Sequence, residues 1–257
     1  MDFLSALSRW IHILAGIAWI GMLYFFNFVN GPFQGTMDGE TKKKVNPEMM
    51  PRALYFFRWG AAWTWFTGVL LLLLVFYHGG LTLEPEASFG AGPIAMIAVT
   101  FLAVFVYDAL HKSPLGKDPK VFGGISFVLA AIVICLMQWV GFTYRAYNIH
   151  LAALFGTIMA FNVWFRIWPA QQKILRAVKE GTPPDAALVA MAGARSRHNT
   201  YMSVPLIWGM VNQHTVTTGT VLGIPGSLGF VLYLVIVLVG WHVVWHLYKI
   251  AARVKGF

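Results

Sequence analysis

The sequence has a single cysteine, Cys135, and few charged residues of either sign among its 257 positions. One cysteine excludes an internal disulfide, a zinc site built on Cys-x-x-Cys, and a covalently attached c-type haem, which requires Cys-x-x-Cys-His. Charged residues make up 11% of the chain, whereas a soluble globular domain has about 25%. Because 58% of the residues are hydrophobic, the composition indicates an integral membrane protein.

Seven apolar runs are long enough, or nearly so, to cross about 30 Å of hydrocarbon. The shortest one contains Pro205 and is the least regular. These runs predict an all-α, polytopic helical membrane bundle of about seven transmembrane helices, forming a single integral membrane domain over residues 1–257. The predicted spans are Leu4–Phe28, Ala53–Tyr77, Gly92–Leu110, Val121–Phe142, Ala146–Trp168, Thr200–Gln213 and Ser227–Leu247.

The net charge of +9 does not indicate a partner such as nucleic acid, because the basic residues are not gathered on one face among aromatics. They alternate instead from loop to loop. Strongly basic segments lie at 42–52, 112–120, 173–197 and 249–255, and the segments between them have few or no basic residues. The positive-inside rule then predicts an outside N-terminus, an inside C-terminus and a cytoplasmic loop over residues 169–199.

Four histidines lie within the predicted spans: His12, His150, His242 and His246. One such side chain would be explained by a hydrogen bond to a neighbouring helix, but four favour a cofactor, since ionisable groups in a bilayer are costly. Neutral imidazole is a common ligand of haem iron, and the apolar porphyrin suits a bundle interior. Gly16, one turn after His12, would let a flat macrocycle approach. The i, i+4 pair on the last helix could hold one metal together, or supply one ligand and its hydrogen-bonding neighbour.

Cationic residues suggest two further sites. Arg9 and Arg58 could pair with haem propionates, or extend to lipid headgroups. Two cations, an imidazole and an amide lie close together at one end of the sixth span, in Arg195, Arg197, His198 and Asn199. Such a cluster could bind a planar anionic heterocycle, or it could face anionic headgroups and cap a helix.

Four segments, in chain order, resemble the bacterial membrane-bound, cytochrome-c-coupled urate oxidase (urate hydroxylase) family. The first, RWIHILAGIAWIGMLYFFN, resembles the family's opening helix, and the other three resemble its later motifs. They are Arg9–Asn27, Pro51–Gly60 (PRALYFFRWG), Phe161–Lys173 (FNVWFRIWPAQQK) and Arg197–Pro205 (RHNTYMSVP).

The resemblance implies a membrane oxidoreductase with one or two haem b groups in the bacterial inner membrane. It would oxidise urate or a related purine near Arg195–Asn199 and pass electrons to a c-type cytochrome. Family members usually continue into a periplasmic cytochrome c domain, whereas these 257 residues contain no Cys-x-x-Cys-His, so we expect a separate cytochrome as acceptor. The alternative is a non-enzymatic b-type cytochrome subunit of an electron-transport complex. Metal transport ranks last, because no methionine-rich motif is present.

Overall fold

The computed structural model describes residues 2–212 and 228–254, and this part of the chain forms seven long helices. It contains no β-strand beyond one isolated bridge between Leu83 and Phe142, which confirms the predicted all-α class. The helices are α1 (Asp2–Thr36), α2 (Gly39–Tyr77), α3 (Ala91–Lys112), α4 (Pro119–Trp139), α5 (Tyr144–Glu180), α6 (Ala186–Asn212) and α7 (Gly229–Ala251).

Six of these helices are long and apolar enough to cross a membrane, in agreement with a bundle of about seven spans. The exception is α6, which has 27 residues but carries Arg195, Arg197 and His198 in its first half. Three helices exceed the length that the hydrocarbon requires. At 1.5 Å per residue, the 35, 39 and 37 residues of α1, α2 and α5 give lengths of about 53, 59 and 56 Å, against about 30 Å of hydrocarbon.

These extensions change the description of residues 169–199. The predicted cytoplasmic loop is the connection between two spans, and the structure shows it to be helical except at 181–185, because α5 and α6 continue past their apolar runs. The turn between them is short. Gly181 ends α5 in the left-handed conformation (φ +73) that glycine adopts without strain. Asp185 then accepts a hydrogen bond from the backbone N–H of Ala187 at 2.8 Å and so caps α6.

A second aspartate cap begins α2. The Asp38 carboxylate accepts hydrogen bonds from the backbone N–H of Thr41 and from its hydroxyl, both at 2.9 Å. These bonds favour the ionised carboxylate, so the backbone bond and then the hydroxyl bond lower the pKa of Asp38. The cap lies between two candidate spans, outside both of them.

Three helices contain π-helical segments, in which the backbone closes wider turns than in an α-helix. They lie at Phe25–Asn30 in α1, Leu72–Tyr77 in α2 and Val163–Ile167 in α5. Segments of this kind are frequent at functional sites, because the extra residue per turn re-aims the side chains around it.

The described contacts divide the chain into two compact units. Unit 1 consists of Met1–Val69, Met159–Ser203 and Gly240–Phe257. Within it, α1 and the first part of α2 pack antiparallel. His12 contacts Thr67, Gly60 lies against the backbone of Trp19, and further along Gln34 bonds to Asn46. A Cβ on Gly60 would lie 3.0 Å from the Trp19 nitrogen, so glycine is needed for this close approach.

Unit 2 consists of Leu70–Ile158 and Val204–Val239. In it, α3 and α4 form a hairpin joined by a short 3-10 turn, Pro114–Gly116. Tyr107 and Phe122 pack edge to face across this hairpin, with ring centroids 5.8 Å apart. Elsewhere in the unit, the fully buried Tyr233 donates a hydrogen bond to the Pro205 carbonyl at 2.9 Å, which links α7 to α6.

Candidate functional site

Unit 1 contains a cavity of about 430 Å³. Its wall combines aromatic rings, side-chain amides and one guanidinium group, a lining that suits a small polar aromatic ligand. Five helices contribute to it: α1, α2, α5, α6 and α7. The lining residues are Phe26, Asn27, Asn30, Gly31, Pro32, Met50, Leu54, Phe57, Ile167, Gln171, Ala192, Gly193, Ser196, Arg197, Tyr248, Ala251 and Ala252.

Asn27 connects three of these helices at the cavity wall. Its amide nitrogen donates to the Ser196 hydroxyl at 2.9 Å and to the Leu23 carbonyl at 2.9 Å. Its amide oxygen accepts a hydrogen bond from the Tyr248 hydroxyl at 2.7 Å. Since α1, α6 and α7 meet on one side chain, Asn27 fixes the relative position of three sides of the cavity.

A second amide cluster lies one turn further along α1. Gln34 donates to Asn30 at 3.1 Å and to Asn46 at 2.7 Å, and Asn46 donates back to Gln34 at 2.9 Å. Asn30 itself donates to the Met50 sulfur at 3.6 Å. Both amide clusters begin in the π-helical segment Phe25–Asn30, which therefore places Asn27 and Asn30 together on the cavity wall.

The four residues predicted to be catalytic occupy different faces of α6. Arg197 lines the cavity and holds its guanidinium carbon 5.5 Å from the centre of the Tyr248 ring. Arg195 and Asn199 are not among the lining residues. Both are buried and both bond to Asn162 of α5, at 3.2 and 2.9 Å. His198 is half-buried and is also absent from the lining. Ser196, which sequence reasoning passed over, shares the cavity with Arg197.

The hydrogen bonds around His12 define its tautomer. Thr67 donates its single hydroxyl hydrogen to the Trp63 carbonyl, 2.6 Å away. Its oxygen, 3.2 Å from Nδ1 of His12, therefore accepts a hydrogen bond from that nitrogen. With the proton on Nδ1, Nε2 carries a lone pair and can act as a metal ligand. A metal-binding histidine characteristically has its other ring nitrogen held by an acceptor in this way.

Two glycines lie near His12: Gly16, one turn further along α1, and Gly68 of α2. A Cβ on Gly16 would meet the Thr64 side chain at 3.8 Å, so Gly16 packs against α2. Gly68 is the residue that accommodates the imidazole, because a Cβ there would lie 3.0 Å from Cε1 of His12. Its position 56 residues away in the sequence gave no local signal.

His150 has both ring nitrogens engaged within unit 2. Its Nδ1 lies 2.7 Å from the Ala146 carbonyl, which can only accept, so Nδ1 carries the proton. Its Nε2 then accepts a hydrogen bond from the Tyr77 hydroxyl at 2.9 Å. The ring is fully buried against Phe76 and Phe142. Binding of iron at His150 would require Tyr77 to move away, so this arrangement does not fit the predicted ligand role.

His242 and His246 are exposed on one face of α7, with ring centroids 4.7 Å apart. Axial ligands of one haem approach the iron from opposite faces of the macrocycle. Two rings that stand one turn apart on the same side of one helix do not meet that geometry, so at most one of them can ligate a given haem. Among the described ranges 2–212 and 228–254, no group of three or more His, Cys, Asp or Glu residues could hold a metal ion.

The two predicted propionate partners differ in environment. Arg9 is exposed near the start of α1. Arg58 lies in an aromatic cage formed by one residue of α2 and two of α5. Its guanidinium carbon is 3.9 Å from the centre of the Trp168 ring, and 5.7 and 5.8 Å from the centres of Tyr55 and Trp164.

Comparison with protein families matches residues 32–255 to the family described as urate oxidase N-terminal. The chain belongs to the urate oxidase N-terminal family. This confirms the resemblance found in the sequence, and with the apolar helices it makes the chain a urate-oxidase-related membrane protein. A search of curated proteins finds no match, and neither does a search of solved structures.

The family match covers most of the cavity wall but not all of the candidate site. It includes Met50, Arg197 and Tyr248, whereas His12 and Asn27 precede residue 32. In this urate oxidase N-terminal protein, the family match therefore does not extend to His12 and Asn27. Their place in the candidate site depends on the geometry and on the sequence pattern of the first helix.

Proposed function

We propose that this protein is the membrane part of a urate-oxidising enzyme, and that its substrate binds in the cavity of unit 1. The proposal depends on one observation above all. A member of the urate oxidase N-terminal family has a cavity that combines aromatic rings, amides and the Arg197 guanidinium group. This lining matches the chemistry of urate, a flat anionic purine with several hydrogen-bond donors and acceptors.

Different lining residues would contact different parts of the substrate. Phe26 and Phe57, in edge-to-face contact at 5.3 Å, offer an apolar wall for a flat ring. Arg197 supplies fork-shaped donors for a purine oxygen. Asn30 and Gln171 supply amide groups at the same wall. The residues hold and orient the substrate, and they leave its oxidation to an electron acceptor.

We assign that acceptor to haem b, with Nε2 of His12 as an iron ligand. Haem would accept electrons one at a time from a substrate that gives up two, and release them to a separate c-type cytochrome. The support on this chain is the pair of contacts that prepares the imidazole, namely the acceptor Thr67 and the space left by Gly68. One of His242 and His246 is a candidate ligand of a second haem group, since both lie at another level of unit 1 than His12. The location would be the bacterial inner membrane.

Anaerobic addition of urate to the purified holoprotein tests the enzyme proposal. We expect the Soret band to shift to that of reduced haem. Arg197→Gln should abolish this reduction while the haem content stays unchanged. Arg176→Gln is the matched control, because Arg176 is an exposed cation of α5 that does not line the cavity. Equal reduction in both variants would refute the role of Arg197.

The same experiment separates the second candidate function, a non-enzymatic b-type cytochrome subunit. The free lone pair on Nε2 of His12 favours haem binding but says nothing about urate. It therefore supports the enzyme and the cytochrome subunit equally. If haem is present and dithionite reduces it, but urate does not, the subunit function replaces the enzyme. The absence of any Soret band after expression with sufficient haem would contradict both.

Variants around His12 test the ligand assignment. His12→Ala should lose haem, and His78→Ala, which changes an exposed histidine of unit 2, should retain it. Thr67→Val keeps the shape of the side chain but removes the acceptor of the Nδ1 proton. We expect it to weaken haem affinity by about 10–100-fold, the usual effect of losing such a partner. An unchanged spectrum in His12→Ala would rule out the ligand role.

A further inference from the structure

Arg58 is a cation without a counter-ion in the described part of the chain. None of these residues accepts a hydrogen bond from its guanidinium group, and its buried Nε has no partner. The ion pairs found there are Arg52–Glu48 and Lys112–Asp108, so no carboxylate is paired with Arg58. Its contacts are the three aromatic rings of the cage. A guanidinium group has five donors, and stacking on rings satisfies none of them.

The cage fixes the position of the guanidinium group. At 3.9 Å from the ring centre, Trp168 takes up one face of the group. The indole N–H of Trp164 donates to the Arg58 backbone carbonyl at 2.9 Å, which ties α5 to α2 at this level. The N–H donors of this planar group are thus held at one place on α2, where they can bind an oxyanion bidentately.

The position of Arg58 along α2 indicates the level of the membrane at which such an oxyanion would bind. A helix needs about 20 residues to cross the hydrocarbon. If the span ends at Tyr77, the last residue of α2, it begins at Arg58. The side chain therefore lies near the boundary between hydrocarbon and headgroups. The exposed aromatic residues Tyr55 and Trp59, 50% and 41% exposed, surround this level, and such residues are enriched at the membrane–water interface.

We propose that Arg58 binds the phosphate group of an anionic phospholipid at this boundary. Arg52 precedes it by about 9 Å along the same helix, and its exposed guanidinium group, paired with Glu48, supplies only a general attraction for anionic headgroups. Arg58 adds the specific contact, because its donors are oriented and only partly hydrated. The proposal does not depend on urate oxidation or on haem.

Native mass spectrometry of the full chain, in mixed micelles that contain phosphatidylglycerol or phosphatidylcholine, tests this site. We expect the wild-type protein to retain phosphatidylglycerol in preference to phosphatidylcholine. Arg58→Met removes the charge and should weaken this retention by at least about tenfold, the effect of losing a charge-assisted hydrogen bond. Arg52→Met is the matched control, since Arg52 is an exposed cation of the same helix with its own partner, Glu48.

A second variant covers the case in which Arg58→Met does not fold. Trp168→Leu keeps the charge but removes the stacked ring, and should weaken phosphatidylglycerol retention as well. Equal retention in wild type and Arg58→Met would overturn the proposal, as would an equal loss in Arg52→Met. Loss of haem from Arg58→Met with unchanged lipid retention would also overturn it, and would assign the guanidinium group to a haem propionate.

Discussion

Replacement of Asn27 tests whether the cavity wall is held by the hydrogen bonds that the structure shows. Asn27→Leu keeps a side chain of similar length but removes the interhelical bonds to Tyr248 and Ser196, at 2.7 and 2.9 Å. Such bonds contribute on average about 0.6 kcal/mol each within membrane proteins, with a maximum of about 1.7. Two of them predict a loss of about 1.2 kcal/mol in the free energy of unfolding.

The loss should stay near this low value, because Tyr248 and Ser196 line the cavity and their hydroxyls can turn to water there. A double-mutant cycle with Tyr248→Phe isolates one of the two bonds. We expect a coupling free energy of about 0.6 kcal/mol between Asn27 and Tyr248, measured by reversible unfolding in mixed micelles. A coupling within about 0.3 kcal/mol of zero, the usual limit of additivity, would refute the three-helix connection.

Three other predictions concern the packing of the helices. Gly60→Ala should lower the free energy of unfolding by about 1–3 kcal/mol, because the added methyl group overpacks against α1. Gly124→Ala is the control and should leave stability unchanged, since a Cβ there meets nothing within 4 Å. Thermal unfolding at the same temperature in both variants would contradict this prediction. Tyr77→Phe leaves the buried Nε2 of His150 without a donor and should lower stability by about 1–3 kcal/mol in the same assay. Folding lowers the pKa of Asp38. Its contribution to the free energy of unfolding is therefore fully present above the pKa of the unfolded chain and is lost as the pH falls through the pKa of the folded protein. Asp38→Asn should remove this acid dependence, which is measured by following unfolding against pH.

The positions of the spans could be predicted because hydrocarbon imposes a length of about 20 apolar residues, and runs such as Ala53–Tyr77 satisfy it directly. The ends of the helices could not be predicted in this way. Outside the hydrocarbon a helix is stabilised by packing with its neighbours, as α2 is by the bond between Gln34 and Asn46. This is why the predicted loop between the fifth and sixth spans is helical over most of residues 169–199.

The site was predictable only where a residue type is rare in its surroundings. Histidines and arginines in apolar runs stand out, so Arg197 and His12 could be named as candidates. Asn27 and Gly68 do not stand out, since an uncharged amide in an apolar run is less unusual than an ionisable group and glycine is common in the chain. Their roles depend on contacts with residues 56 to 221 positions away and on a π-helical segment, which no local sequence pattern predicts.

If the protein binds haem as proposed, the levels of the histidines within unit 1 determine which of them could hold the same haem group. Tyr248 of α7 meets Asn27 and Phe28 of α1, so these residues are at one level. Along helices with a rise of 1.5 Å per residue, His12 is then about 22 Å from this level and His242 about 9 Å. Two side chains separated by about 13 Å along the helix axes would not hold the same haem group. Haem held at both levels would therefore mean two haem groups, and a single haem would be held by one of the two histidine sets only.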